Sequence, residues 1–156
     1  MCDHSGKIFT VGGSEHYDKG NGSNRAYIID INGSQASVTR TGNMQYSRAL
    51  HNSVLLPSGE VVVVGGRASP GNLFSDNNSR MHAEIWSPAT GQFRTLKEMD
   101  VPRNYHSVAV LMKVRCVAGM YACANVSSID HRMGEFGRLA AVFVEAAALT
   151  TKIMKS

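Results

Sequence analysis

The chain has few cysteines, modest charge and no long apolar run, and each shortage removes a class of protein. Three cysteines (Cys2, Cys116 and Cys123) in 156 residues are too sparse and too odd in number for a disulfide-stapled mini-fold. Cys116 and Cys123 also lie seven apart, which is not a zinc spacing. No stretch reaches the roughly 18 apolar residues that a membrane helix needs. At Met1 there is neither the basic nor the apolar region of a secretory leader, so the chain carries no signal peptide of its own. No G-x-S-x-G nucleophile motif is present. The glycines of Gly20-Asn-Gly22 precede no helical pattern and read as a turn rather than a phosphate loop. With 43% hydrophobic and 18% charged residues, the chain is not a disordered charged tail, and its length suits one domain rather than two.

The charge is unevenly spread. Residues 1–112 hold ten Lys/Arg and nine Asp/Glu, whereas residues 113–156 hold six and three. The basic excess therefore belongs mostly to the last quarter and argues for no nucleic-acid face on the main body. Composition changes at the same place. Twelve of the fifteen glycines and all four prolines precede residue 113, and eight alanines follow it. Residues 1–112 and 113–156 are thus read as separate units.

The first unit reads as short strands and turns. Lys7–Val11 is β-rich and runs into Gly12-Gly13. Ala26–Ile31 is followed by Asn32-Gly33, a dipeptide that accepts positive φ and closes hairpins. Asn52–Leu56 and Glu60–Val64 flank Pro57-Ser58-Gly59 as a hairpin, and the second run ends in Gly65-Gly66. Ala83–Trp86, the turn Ser87–Gly91, Gln92–Thr95 and finally Ser107–Met112 complete an all-β pattern. The pattern repeats. The double glycine at 12 recurs at 65, and Arg48-x-x-His51 recurs as Arg103-x-x-His106. A period near 50 residues with strands ending in Gly-Gly is the signature of a kelch-type propeller. The double glycine suits a strand end that turns against neighbouring backbone, where a Cβ would clash. Propellers close with roughly 4–8 blades, so this chain supplies a fragment of about two to three.

Three stretches carry a family resemblance. Gly6-Lys-Ile-Phe-Thr-Val-Gly-Gly-Ser14 with Tyr17, Ser47-Arg-Ala-Leu-His-Asn-Ser-Val-Leu-Leu-Pro-Ser-Gly59, and Val101-Pro-Arg-Asn-Tyr-His-Ser107 resemble blades of galactose oxidase and its fungal copper-radical oxidase relatives. The resemblance spans about Gly6 to Met112. It implies a stretch of a seven-bladed kelch-type propeller whose whole oxidises a primary alcohol or carbohydrate to an aldehyde and reduces oxygen to hydrogen peroxide. It further implies that Tyr105 is an axial copper ligand and the base that accepts the alcohol proton, and that His106 is an equatorial copper ligand. Imidazole suits Cu(II), and a weak axial oxygen leaves room for substrate. Neighbouring strand residues point to opposite faces, so both can reach one metal only where alternation breaks, just ahead of the last strand. Tyr17, Asp18 and Phe74 fall where the family approaches its substrate. Asp18 replaces the family's glutamine, which weakens the case for galactose itself. His51 holds the same repeat position as His106 but follows Leu50, and is read as structural. The resemblance implies an extracellular parent with a small-molecule substrate and neither nucleic-acid nor membrane partners.

Other expected parts of that site do not match. The family's cross-linked tyrosine and cysteine belong to earlier blades. Cys2 is in the wrong context for that cysteine, Trp86 reads as blade packing, and His131 is outside the motif of the second copper histidine. The tail replaces the expected turn with Lys113-Val114-Arg115 and the double glycine with Gly119-Met120. Its Leu139–Leu149 run has high helix propensity through its alanines. These departures predict a fragment that is inactive alone. The alternative readings are a non-catalytic kelch-repeat interaction module and a nonfunctional truncated gene product.

Overall fold

Val61–Val64 is apolar at four consecutive positions, so a strand carrying it must be covered on both faces. The computed structural model describes residues 5–69, 71, 75–112, 123–130 and 140–145, the last two segments as backbone only. Its ten strands are β1 (Lys7–Val11), β2 (Ala26–Asp30), β3 (Ser37–Arg40), β4 (Ala49–Leu55), β5 (Val61–Arg67), β6 (His82–Ser87), β7 (Gln92–Glu98), β8 (Ser107–Met112), β9 (Cys123–Asp130) and β10 (Ala140–Glu145). They form three antiparallel meanders, β1-β2-β3, β4-β5-β6-β7 and β8-β9-β10. No helix occurs among the described residues.

The valine run explains how these sheets stack. All four valines are buried. Val61 and Val63 pack with Phe9, Ala26, Met44 and Trp86, which joins the middle sheet to the first. Val62 and Val64 pack with Val54, Leu56, Ala83, Ile85 and Met99, and Ala109 of β8 leans on the same cluster. The middle sheet is therefore filled from both sides by its neighbours. Trp86 belongs to this packing, as its sequence context suggested. It lies 4.6 Å from the Phe9 ring, and its indole N–H donates to Thr41 Oγ1 at 3.0 Å.

The double glycines make the same junction twice. The Gly13 N–H donates to the Arg48 carbonyl at 2.9 Å, and the Gly66 N–H donates to the Arg103 carbonyl at 2.7 Å. A Cβ on Gly12 would stand 2.8 Å from the Arg48 oxygen, and one on Gly65 would run into the Arg103 oxygen. All four glycines are left-handed, with φ of 63°, 89°, 68° and 82°. The close backbone approach inferred from the repeat is thus present at both junctions. The Pro57-Ser58-Gly59 hairpin also forms as expected, with the Gly59 N–H donating to Leu56 O at 2.9 Å.

The side chain of Arg48 locks the second junction. It is wholly buried and donates to Gly65 O (2.8 Å), His82 O (2.9 Å) and Glu84 Oε2 (2.6 Å). Glu84, equally buried, accepts from the Gln45 N–H at 2.6 Å and the Tyr46 N–H at 3.3 Å. Main-chain groups thus flank the ion pair on both sides, while the buried Arg48 Nε has no hydrogen-bond partner.

Three expectations change. Asn32-Gly33 does not form a tight left-handed turn. Residues 31–36 are a longer loop, Gly33 is not left-handed, and Asn32 instead donates to Asp30 Oδ1 from its backbone (2.9 Å) and side chain (3.0 Å). β3 was not anticipated because all four of its residues are exposed and present no apolar face. The helix expected across Leu139–Leu149 is a strand over Ala140–Glu145, where Val142-Phe143-Val144 suit a ladder and pair with β9. Tertiary pairing outweighs the helix propensity of the flanking alanines. The remainder of that run, and Lys113 to Met120, lie outside the described residues.

Glu84→Ala strands a buried guanidinium and two backbone donors. It is expected to cost about 3–5 kcal/mol in urea unfolding. Arg48→Met together with Glu84→Leu should cost clearly less, because no buried charge is left alone.

Candidate functional site

Tyr105 and His106 sit between the second glycine junction and β8. Arg103 is held by Gly66, and the Asn104 carbonyl then accepts from the Ser107 N–H at 3.0 Å. That bond closes a four-residue turn with Tyr105 and His106 at its centre. His106 occupies the third position with φ 63°, the left-handed conformation that such a turn can require there. The consequence is geometric. Side chains that would point to opposite faces in a strand lie together here, with ring centroids 3.7 Å apart and planes 27° from parallel. Tyr105 is half-buried and His106 exposed. A left-handed non-glycine residue costs on the order of 1–3 kcal/mol and persists only where its surroundings enforce it.

Tyr17 completes the group. Its ring meets that of Tyr105 edge-on at 5.9 Å and 82°. A hydrogen bond between the two phenols, with burial and charge effects adding less, raises the Tyr17 hydroxyl above its ordinary value of 10.0. The direction of that shift fits Tyr17 as the donor and Tyr105 as the acceptor of the contact.

Two buried side chains tie the surrounding loops together. Arg67, at the end of β5, donates to Asp18 O at 3.1 Å and to Gly71 O at 3.1 Å. Asn104 donates to Ser79 Oγ at 2.6 Å and to Ser75 O at 3.4 Å. Asp18 thus joins the site through its backbone, while its residue is exposed. Phe74 lies outside the described residues, as do Cys2 and His131. The roles of Arg67 and Asn104 were missed from sequence. The available signal was the second Arg-x-x-His copy itself, where Asn104 stands in place of Ala49.

His51 behaves as a structural residue. It pairs with Gly65 in the β4–β5 ladder, and a Cβ on Gly12 would stand 2.5 Å from its ring. Its buried Nδ1 has no hydrogen-bond partner. Burial first, and the nearby Arg48 charge second, depress its pKa from 6.5 to about 4, against a bond to the Val11 backbone. A polar cleft of about 680 Å³, lined by Gly13, Ser14, Asn21, Ser23 and Ser47 among others, includes none of the three site rings.

A phenol and an imidazole brought to one turn match the oxygen and nitrogen donors that Cu(II) accepts. Among the described residues no group of three or more His, Cys, Asp or Glu could hold a metal ion. The donor chemistry of the pair therefore fits copper, and the described part of the chain offers no complete site.

Comparison with known proteins points the same way. No protein-family model matches the chain. Over 110 residues, 69% of its length, it is 31% identical to galactose oxidase of Gibberella zeae, that of strain PH-1 included. It also superposes on a fungal alcohol oxidase of the AA5 family, solved in complex with copper. The TM-score is 0.72 and the identity 31%, over 90% of this chain. The chain spans 16% of the length of the galactose oxidases it matches and 28% of that alcohol oxidase. Its relatives are thus fungal oxidases. The chain belongs to the galactose oxidase-like family of copper-radical oxidases, as a stretch of part of their length.

Because His51 is deprotonated in the fold and takes up a proton on unfolding below about pH 6.5, stability should be full above that pH. It should fall as pH drops toward about 4. His51→Gln is expected to flatten this acid limb in urea midpoints measured from pH 4 to 7.5.

Proposed function

We propose that this stretch supplies the Tyr105–His106 half of the copper centre of an oxidase that converts a primary alcohol to an aldehyde while oxygen becomes hydrogen peroxide. The observation that carries this reading is the 104–107 turn, which sets a phenol and an imidazole side by side through the left-handed His106. The family relationship supports it, and so does the copper complex of the AA5 relative.

On this reading the His106 imidazole and the Tyr105 phenol oxygen hold the metal. Copper bound there would supply the redox capacity that links alcohol oxidation to oxygen reduction. Tyr105, as its phenolate, accepts the hydroxyl proton of the alcohol. Tyr17, whose ring meets Tyr105 edge-on, is placed to donate a hydrogen bond to that oxygen. Tyr17, Asp18 and Phe74 are read as substrate-binding residues from the family resemblance of their sequence positions. Asp18 lacks the amide donors that a glutamine would offer sugar hydroxyls, which weakens the case for galactose itself as the substrate. The parent enzyme is read as an extracellular seven-bladed kelch-type propeller. No helix of the described residues is long and apolar enough to cross a membrane. The 156 residues alone are read as inactive, since among the described residues no group of three or more His, Cys, Asp or Glu comes together to hold a metal.

Titration of the protein with Cu(II), followed by electron paramagnetic resonance, tests the ligand assignment. His106→Ala should weaken binding at least about tenfold, corresponding to loss of one charge-assisted contact. Tyr105→Phe should change the spectrum while the fold is retained. Copper binding that is identical in all three proteins contradicts the assignment. Peroxide release from an alcohol by the copper-loaded 156-residue chain would overturn its reading as inactive.

A further inference from the structure

We propose that Asn104 is a positioning residue: by anchoring its side chain to Ser79 and Ser75 it selects which residue of the Arg-x-x-His segment turns left-handed, and so turns His106 out toward Tyr105. This rests on the copper reading only for its purpose. The conformational claim stands on the two repeats themselves.

The chain contains its own control. In the first copy, Arg48-Ala49-Leu50-His51, the left-handed residue is Leu50 with φ 57°. Ala49 pairs with Arg67 and His51 with Gly65, so the histidine is taken into the β4–β5 ladder and its Nδ1 is buried. In the second copy, Arg103-Asn104-Tyr105-His106, the left-handed residue falls one position later, at His106 with φ 63°. Strand β8 begins only at Ser107, and His106 is exposed. The backbone frame is otherwise shared, since the carbonyls of Arg48 and Arg103 accept from equivalent glycines.

The residue after the arginine differs in what it can hold. Ala49 has no polar group. Asn104 is 1% exposed and donates to Ser79 Oγ at 2.6 Å and Ser75 O at 3.4 Å, while its own carbonyl closes the turn on Ser107. Ser79 is itself fixed, donating to the Asp76 carbonyl and bridging to Arg67. A buried amide anchored to a fixed loop keeps residue 104 out of a ladder. The left-handed step then moves to His106, and the imidazole stacks on Tyr105.

The test compares wild-type protein with Asn104→Ala and Ser79→Ala, each removing one end of the anchor. Reaction of individual histidines with diethyl pyrocarbonate is followed by peptide mass spectrometry, with exposed His16 as internal standard. Loss of one hydrogen bond that sets the turn should slow modification of His106 about tenfold in Asn104→Ala, leaving His16 unchanged. Ser79→Ala should move His106 in the same direction. Cu(II) affinity should fall in parallel. If Asn104→Ala unfolds the chain, seen as His51 becoming reactive, Ser79→Ala decides on the same criterion. Unchanged His106 reactivity in the folded variants overturns the proposal. If His106 reactivity falls but the wild-type protein binds no copper, the positioning role holds and the copper reading fails.

Discussion

Arg48 is the residue on which the arrangement of the sheets depends. Its backbone belongs to the first junction, where Gly13 donates to its carbonyl and its own N–H donates to Ser23 O at 2.9 Å. Its side chain belongs to the second sheet, through Gly65, His82 and Glu84. One residue thus fixes how the first sheet meets the second and where β5 ends. A buried charge is costly unless it is paired and hydrogen-bonded. Here Glu84 and two carbonyls meet that requirement at the two terminal nitrogens, which ties the position of the Gly65-Gly66 corner to Arg48.

That corner positions the candidate site. Gly66 holds the Arg103 carbonyl, and the residue after Arg103 begins the turn that carries Tyr105 and His106. The next residue of the corner, Arg67, reaches the loops that bear Asp18 and Gly71. The three site rings therefore come from two separate loops, yet their placement follows from a continuous set of backbone and guanidinium contacts. The valine strand β5 supplies the rigid support, because both its faces are filled by neighbouring sheets. Backbone strain at His106 is tolerable against such support.

Much of this was legible in the sequence because it depends on local chemistry. The double glycines, the Pro57-Ser58-Gly59 hairpin and the break in alternation at Tyr105-His106 each follow from backbone requirements that few residues meet. The role of Trp86 in packing followed from its strand context. What stayed hidden depends on partners distant in sequence. β3 has no apolar face to announce it, and its pairing with β2 alone makes it a strand. The run at Ala140–Glu145 is a strand because β9 lies beside it, against the tendency of its alanines. Asn104 resembles any loop asparagine until Ser75 and Ser79 are seen around it. Arg48 and Glu84 are 36 residues apart, and no sequence pattern pairs them.

The central claim is that the 104–107 turn brings Tyr105 and His106 to one metal. The most direct measurement is a crystal structure of the copper-loaded protein, with anomalous scattering recorded at the copper edge. The account predicts a copper peak within coordination distance of both the His106 imidazole and the Tyr105 phenol oxygen, with His106 left-handed. Copper bound elsewhere, with these two rings stacked and uncoordinated, would contradict it.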